Sequence, residues 1–251
     1  MSDRARAVEE CFWELTELLP LERTERDGWR EVSTLGGDDV RNGVIRAVLG
    51  ADEADDVIDA TIDRYAARGS PFRWHVGPSS RPTDLADRLL RRGFLHIDTL
   101  AGMCIDTRRD LAPDPRIVVR ELSASEDEAF VDVILSTYDA PASVRERLLA
   151  EIRNSRGGGK QRHYVARLEG QIVGATSYAL LRSGGFLQGA AVVEASRGRG
   201  VYRQMIRARL AALRSEGCEL AVVTARRSTS APICARLGFE ELCAIEVYRH
   251  A

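Results

Sequence analysis

The stretch that decides the fold is Ala190-Ala191-Val192-Val193-Glu194-Ala195-Ser196-Arg197-Gly198-Arg199-Gly200-Val201-Tyr202-Arg203-Gln204-Met205-Ile206. Its apolar start predicts a strand, and its end begins a helix that the apolar spacing carries to Ser215. The glycines between strand and helix let a ligand approach the backbone without meeting a Cβ. The first N–H groups of a helix point the same way and, with the helix dipole, attract anions. The stretch therefore predicts a site for an anion such as a diphosphate, with positive charge added by Arg197, Arg199 and Arg203.

Hydrophobic periodicity around this stretch predicts a regular alternation of elements. Strands are expected at 116–122, 162–168, 171–181, 186–194, 219–224 and 242–248. Helices are expected at 125–138, 144–152, 201–215 and 230–237. The order predicts a mixed sheet with helices on both faces, an α/β (α+β) fold.

Local signals sharpen three points in this region. Glu169-Gly170 suits a tight hairpin turn between two strands. The segment 155–160, which contains three consecutive glycines, is expected to end the second helix. The helix at 125–138 has two equally good capping boxes, Ser125 with Glu128 and Ser123 with Glu126.

The first half of the chain repeats the end of this pattern. Helices are expected at 51–68 and 83–92, and strands at 72–76 and 96–105. Leu90-Arg91-Arg92-Gly93-Phe94 parallels Ala235-Arg236-Leu237-Gly238-Phe239, which suggests two related halves. The proline-containing segment 110–115 reads as a linker, so domains are expected at 1–112 and 113–251.

Two motifs in the second half resemble those of the GNAT (GCN5-related N-acetyltransferase) superfamily. Arg197-Gly198-Arg199-Gly200-Val201 is similar to motif A, whose pattern is Gln/Arg-x-x-Gly-x-Gly/Ala. The chain matches at Arg197 and Gly200 and departs at Tyr202, where the family has a small residue. At the family's distance follows Leu237-Gly238-Phe239. The resemblance covers residue 116 to the C-terminus, and it implies tandem GNAT-like mixed sheets flanked by helices, with the complete module in the C-terminal half.

The resemblance also implies a cosubstrate, acetyl-CoA, and an acetyl transfer by direct attack of an amine on the thioester. The family pattern places the pyrophosphate on the turn, through Arg197, Gly198, Arg199, Gly200, Val201, Tyr202 and Arg203. It places the pantetheine arm, as an added strand, against free backbone groups of Ala191, Val192 and Val193. A backbone N–H near Val192 would polarise the thioester carbonyl.

The acid and base of such a reaction are not fixed by the sequence. Many family members carry a tyrosine acid four residues before the glycine of Leu-Gly-Phe, where this chain has Cys234. Cys234 is either a proton donor or a small core residue, and Tyr248 is either its substitute or a core residue. Glu194 is a candidate base or an ordinary solvated residue. Gln188 could hold a water, and His163, at the start of a strand, is expected to be exposed.

Similarity to bacterial two-domain GNAT proteins implies that the first half is degenerate, does not bind acetyl-CoA and helps to form the acceptor pocket or is only a structural prop. Its one glycine turn after a strand, 77–82, contains two prolines, which lack N–H donors. The opposing hypothesis for the whole chain is a catalytically silent acyl-CoA-binding or interaction protein.

The resemblance implies a small-molecule or peptide amine as the acceptor, and composition argues against two other classes of partner. A net charge of −2 argues against nucleic acid, and no apolar run is long enough for a membrane span. Five scattered cysteines indicate reduced thiols in a cytoplasmic protein and, with four dispersed histidines, no metal site. The oligomeric state is left open, with a homodimer as one alternative, and Lys160 is the single lysine.

Overall fold

The helices and strands come from a computed structural model that describes residues 2–34, 41–138 and 144–251. In the first part of the chain they are α1 (Asp3–Leu18), β1 (Glu22–Arg26), β2 (Trp29–Ser33), β3 (Gly43–Ala47), α2 (Ala54–Ala67), β4 (Phe72–Val76), α3 (Leu85–Arg91) and β5 (Leu95–Asp106). They continue with β6 (Ile117–Glu121), α4 (Asp127–Tyr138), α5 (Arg145–Gly158), β7 (Gln161–Leu168), β8 (Gln171–Leu181), β9 (Gly184–Val192), α6 (Val201–Ser215), β10 (Leu220–Arg226), α7 (Ala231–Arg236) and β11 (Glu240–His250).

The chain forms two compact units. The first contains Met1–Met103, Thr224–Arg236 and Glu240–Ala251, and the second contains Cys104–Val223 and Leu237–Phe239. Strands of the first unit follow the order β1-β2-β3-β4-β11-β5, and those of the second follow β10-β9-β8-β7-β6. Both sets mix parallel and antiparallel pairs, so the predicted α/β fold of mixed strands flanked by helices is confirmed. The predicted domain division at residues 112 and 113 stays a prediction.

Alternating residues of the second unit's strands pack into two apolar layers, one on each face of the sheet. Val165, Ala175 and Ala191 pack with residues of α4 and α5, among them Phe130 and Ile152. Their neighbours in sequence face the other way, because successive side chains of a strand alternate. Ala166, Val192 and others pack there with Val201 and Met205 of α6. The strand periodicity in the sequence therefore positions α6, and the turn before it, on one face of the sheet.

The core of the first unit is aromatic. Trp29 and Trp74 meet edge to face at 5.2 Å, and Tyr65 stacks on Phe72 at 4.2 Å. The strand β1 is exposed along its whole length, and its sequence Glu-Arg-Thr-Glu-Arg has no apolar alternation. The sequence consequently predicts no strand there.

Two local expectations in the second unit have clear outcomes. The second helix ends within the expected segment 155–160 but later than the predicted residue 152, because α5 continues to Gly158 and ends on Gly159, which has a left-handed φ of 70°. Two glycines within a last helical turn weaken the helix but do not end it, whereas a left-handed glycine does. Of the two capping boxes, the structure contains that of Ser123 with Glu126.

The hairpin turn expected between β7 and β8 is confirmed. Leu168 pairs with Gln171, so Glu169 and Gly170 are the two central residues of the turn. Both have a positive φ, 53° and 82°, as the tightest hairpin turns require.

Candidate active site

The predicted anion-binding turn connects β9 to α6. A single 3₁₀ turn at Glu194–Ser196 follows β9, and the Arg197 N–H donates to the Glu194 carbonyl at 3.1 Å. Gly198 and Gly200 then adopt left-handed φ values of 75° and 87°. The first helical hydrogen bond runs from Gln204 N–H to Gly200 C=O at 3.2 Å. The earlier N–H groups of Val201 and Arg203 thus have no acceptor within the helix.

The space around the two glycines shows which side of the turn is open. A Cβ added to Gly198 would meet no atom of the protein within 4 Å. A Cβ on Gly200 would lie 3.7 Å from Arg203 Nη2 and 3.9 Å from Asp114 Oδ2. Both residues need glycine for the left-handed backbone, and a ligand can approach the turn at Gly198.

Charged side chains surround the turn. Arg197 and Arg199 are exposed; Arg197 Nε donates to the Val192 carbonyl at 3.3 Å, and Arg199 pairs with Glu169 at 2.8 Å. Such an exposed ion pair contributes little, so Arg199 can exchange its partner for another anion at small cost. Positive charge on both sides of the open glycine favours an anionic ligand.

Asp114 is a neighbour of the turn that the sequence analysis missed. Arg116 donates hydrogen bonds to Asp114 from its side chain and its backbone N–H. These bonds, with a contribution from Arg203, lower the pKa of Asp114 to about 2. No motif marked this residue, because it lies in the segment that reads as a linker. It places a fixed negative charge on the Gly200 side of the turn, away from the open Gly198 side.

The strand that leads to the turn contains a β-bulge. Thr176 pairs with Ala190, but the next residue, Ser177, pairs with Gln188, so Gly189 is the extra residue of β9. Gly189 has a φ of 47°, and its carbonyl accepts a hydrogen bond from Thr176 Oγ1 at 2.7 Å. Bulges bend a strand and redirect its groups, and they are frequent beside active sites.

One edge of β9 loses its strand partner before the bulge. Among the described residues, pairing with β10 consists of Gly185 with Ala221 and Phe186 with Val222. Beyond Phe186, the other edge of β9 stays paired with β8 as far as Val192. The sheet is therefore open along one side of β9, in the segment that leads to the glycine turn.

Backbone direction separates the three residues expected to bind a ligand as an added strand. Val193 N–H donates to Val173 C=O at 3.0 Å, and Val193 C=O accepts from Ser196 N–H at 2.9 Å. The backbone groups of Val193 are thus used within the protein, contrary to the expectation that they are free. Because backbone groups alternate in direction, Val192 points to the open edge and Ala191 points to β8. Val192 is the residue of the three that is oriented to pair with a ligand strand.

A polar chain crosses the face of the sheet that carries α4 and α5. His163 is partly buried, not exposed as expected. Its Nδ1 lies 2.7 Å from Ser177 Oγ, and its Nε2 lies 2.6 Å from Ser155 Oγ on α5. Burial, followed by the charge of Arg156, lowers the pKa of His163 to about 4. The imidazole is therefore neutral at pH 7.

The three candidate acid and base residues occupy different environments. Glu194 is exposed at the start of the turn. Cys234 is completely buried in α7 of the first unit. Tyr248 on β11 belongs to the aromatic core of the first unit, and burial raises its pKa, with Glu246 and Asp87 adding to the effect. Their catalytic roles remain predictions.

One arginine of α6, Arg209, lies on the buried side of the helix. Arg209 is 1% exposed, and its Nη1 donates to the Ser177 carbonyl at 3.1 Å. Its position on the buried side of α6 follows from the helical spacing Met205, Arg209, Leu213, whose other members are apolar.

Within the described ranges, no group of three or more His, Cys, Asp or Glu side chains is arranged to hold a metal ion. None of the helices there combines the length and the apolar character that a membrane crossing needs.

Comparison with known proteins agrees with the resemblance of the two motifs. Residues 126–239 match the Acetyltransferase (GNAT) family. No curated protein matches the chain. A GCN5-related N-acetyltransferase from Kribbella flavida is similar in structure, with a TM-score of 0.72 and 15% identity over 99% of this chain and 96% of that one.

Two other structures share the fold at low identity. A conserved protein of unknown function from Staphylococcus epidermidis ATCC 12228 has a TM-score of 0.70 and 14% identity, over 92% of this chain and 94% of that one. A tandem GNAT protein from the clavulanic acid biosynthesis pathway has a TM-score of 0.63 and 15% identity, over 88% of this chain and 78% of that one. The family match therefore lies in the C-terminal half, and the chain as a whole shares the fold of a tandem GNAT protein.

Proposed function

We propose that this protein is an acetyl-CoA-dependent N-acetyltransferase that moves an acetyl group to the amine of a small molecule or peptide. The observation that supports this proposal most directly is the turn from β9 to α6. There the space beside Gly198 is empty of protein atoms, and an exposed arginine lies on each side of the glycine. A diphosphate fits such a turn, because the helix N–H groups, the helix dipole and both guanidiniums favour the same charge.

The open edge of β9 supports the same ligand. A pantetheine arm carries amide groups that can pair with a free strand edge, and Val192 points to that edge. The bulge at Gly189 shifts the pairing register of β9 with β8 next to this open edge. When bound, acetyl-CoA supplies an activated acyl carbon, and the chain's own groups have to orient it and accept the amine proton.

Among the candidates for proton transfer, Glu194 lies nearest in sequence to the turn and is exposed to solvent. It is therefore one candidate for the base, acting directly or through water. Cys234 and Tyr248 remain candidates for the acid that protonates the leaving thiolate. Replacement of Cys234 by alanine, compared with serine, separates these two: a loss of turnover in the alanine variant alone assigns the proton to Cys234, and an unchanged rate in both leaves Tyr248.

The test is isothermal titration of the protein with acetyl-CoA. We expect saturable binding of one molecule per chain and its loss in the double variant Arg197→Glu with Gly200→Glu. The control is Arg207→Glu, which makes the charge change of Arg197→Glu alone, on the exposed side of the helix that follows the turn. Circular dichroism of each variant verifies the fold. A folded wild-type protein that does not bind submillimolar acetyl-CoA would contradict the proposal.

Binding without turnover would distinguish the silent acyl-CoA-binding protein from the enzyme. The measurement is release of the CoA thiol in the presence of spermidine, kanamycin or a lysine-containing peptide. Acetyl transfer to any of these amines supports the enzyme. Tight binding with no transfer to any amine of a wider panel supports the silent protein.

A further inference from the structure

The chain of side chains around His163 lies in a layer that is otherwise apolar. Gln161 and His163 are two residues apart on β7 and so share a face. Ser177 is directly opposite His163 on β8, and Gln188 is directly opposite Ser177 on β9, so they share that face too. Val165, Ala175 and Ala191 continue the same face as packed core under α4 and α5. Polar groups in such a layer cost stability unless they are hydrogen-bonded, so their presence calls for an explanation.

The hydrogen bonds among these side chains show which atom donates and which accepts at each step. The Ser155 hydroxyl donates to the Ile152 carbonyl at 2.8 Å, so its oxygen is left to accept from His163 Nε2–H. A neutral imidazole with its proton on Nε2 accepts at Nδ1. Ser177 Oγ, 2.7 Å away, is therefore the donor to Nδ1. The protons are ordered along Ser177, His163 and Ser155.

One end of this row of hydrogen-bonded side chains, Ser177, lies beside the bulge of β9. Ser177 faces Gln188, the residue before the bulged Gly189. Gln161 Nε2 donates to Gln188 Oε1 at 3.1 Å, which holds the Gln188 amide in place with its own N–H₂ group still able to bind a water. Directly opposed side chains have Cβ atoms about 5 Å apart, a distance that one water spans.

The other end of this row of side chains, at His163, faces a cavity that is open to solvent. A cavity of about 190 Å³ is lined by His163 and by Glu121, Leu122, Arg156, Gln161 and Arg162. The charged groups near the imidazole are balanced, because Arg156 of α5 forms a two-point ion pair with Asp127 of α4. Glu121 of β6 and Arg162 of β7 also lie 3.8 Å apart. A proton released at this end passes into water.

We propose that Ser177 and His163 form the route by which the acceptor amine loses its proton, from a water at Gln188 to the solvent-filled cavity. The inference rests on the proposed acetyl transfer. The ammonium form of the amine first gives one proton through the water to Ser177 Oγ. The Ser177 proton moves to His163 Nδ1, and the Nε2 proton passes to water in the cavity that His163 lines. The neutral amine nitrogen then bonds to the acyl carbon as the carbon–sulfur bond breaks, and the second proton that the nitrogen releases balances the one that the leaving thiolate takes up. One proton enters the relay and one enters solvent, and His163 acts as a positioning residue that never carries a lasting charge.

The first test observes His163 without turnover. In ¹⁵N NMR spectra of protein labelled at its four histidines, the His163→Gln variant identifies the His163 signals. We expect a neutral ring with its proton on Nε2 at pH 7 and a shift of both nitrogen signals when acetyl-CoA is added. A charged ring at pH 7, or nitrogen signals that acetyl-CoA leaves unchanged while titration shows binding, would overturn the relay.

The second test uses acetyl transfer to the best amine among spermidine, kanamycin and a lysine-containing peptide. We expect His163→Ala to lower kcat about 100-fold at pH 7, with the KM for acetyl-CoA changed less than about threefold. The rate should recover as the pH approaches the pKa of the amine, which then arrives neutral. Added imidazole should also restore it, because the variant leaves a ring-sized space beside the cavity. Ser177→Ala should show the same pH profile without rescue by imidazole.

The outcomes separate the relay from the proposed function. A wild-type protein that fails to bind acetyl-CoA defeats both. Acetyl transfer that survives in His163→Ala with an unchanged pH profile defeats only the relay. A rate that falls equally at all pH values and ignores imidazole identifies a purely structural histidine and also defeats it.

Discussion

Each unit contains a glycine turn directly after or soon after a strand, and the two turns are filled differently. In the first unit, after β4, the Ser79 N–H donates to Glu9 Oε1 at 3.1 Å, and a Cβ on Gly77 would lie 2.4 Å from the same oxygen. The turn therefore already holds a carboxylate of its own chain. In the second unit the space beside Gly198 is open. Glycine alone does not make an anion site; the site depends on whether the chain itself occupies the donors.

The largest effect is expected from giving the open turn a carboxylate of its own. Gly198→Asp places a negative charge where the ligand approaches, and aspartate tolerates the left-handed φ better than most residues. We expect acetyl-CoA affinity to fall at least about 100-fold in isothermal titration, since charge-assisted bonds are replaced by repulsion. Gly198→Asn, nearly identical in shape and neutral, should keep most of the affinity. Equal losses in the two variants would show that shape, and not charge, controls the turn.

The carboxylate at the start of the open turn provides the next contrast. Glu194→Gln keeps the size of the side chain and removes its basicity. If Glu194 is the base, kcat should fall about 100-fold, the lower range for loss of a general base, while acetyl-CoA affinity stays within a few-fold. Thiol release under saturating acetyl-CoA measures the first quantity and titration the second. An unchanged kcat removes Glu194 from the mechanism.

Removing the Glu9 carboxylate from the turn after β4 tests the same comparison in the first unit. Glu9→Ala removes the acceptor of the Ser79 N–H, and the loss of a buried hydrogen-bond partner is expected to lower the free energy of unfolding by about 1–3 kcal/mol. Glu9→Gln retains an acceptor oxygen and should lose less. Thermal unfolding measures both. Titration of either variant should still show one acetyl-CoA per chain; a second site would mean that Glu9 alone keeps the first unit from binding.

The smallest effect concerns one buried histidine in each unit. Burial lowers the pKa of His75 and that of His163 to about 4, from an ordinary 6.5. Between pH 6.5 and pH 4 each of these histidines is protonated in the unfolded chain and neutral in the folded chain. The free energy of unfolding therefore falls as the pH drops through this range. Each histidine should account for about 1 kcal/mol of loss at pH 5.5.

Urea unfolding of His75→Gln and His163→Gln at pH 7.5 and 5.5 measures the two contributions separately. Each variant should lose about half of the histidine-dependent difference between the two pH values. A variant that retains the whole difference would show that its histidine is already charged in the folded protein.

The glycine turn, the elements around it and the family of the second half were predictable because they depend on local patterns. Strand alternation, helical spacing and glycines at turns are written in consecutive residues, and β4, β8 and α6 match the expected bounds residue for residue. The strand β1 was missed because neither of its faces is buried. Asp114 and the Ser155–His163–Ser177 chain were missed for another reason: their partners are brought together by packing, and no spacing within the sequence announces them.

The strand order of the first unit has a consequence for synthesis on the ribosome. The last strand of the chain, β11, lies between β4 and β5, so the first unit cannot complete its sheet until the end of the chain has emerged. At ordinary elongation rates this delay after β5 is on the order of ten seconds. In that interval β4 and β5 each lack a neighbour, whereas the strands of the second unit, all synthesised within one continuous segment, can already pair. The half of the protein that is made first is therefore the half that finishes last.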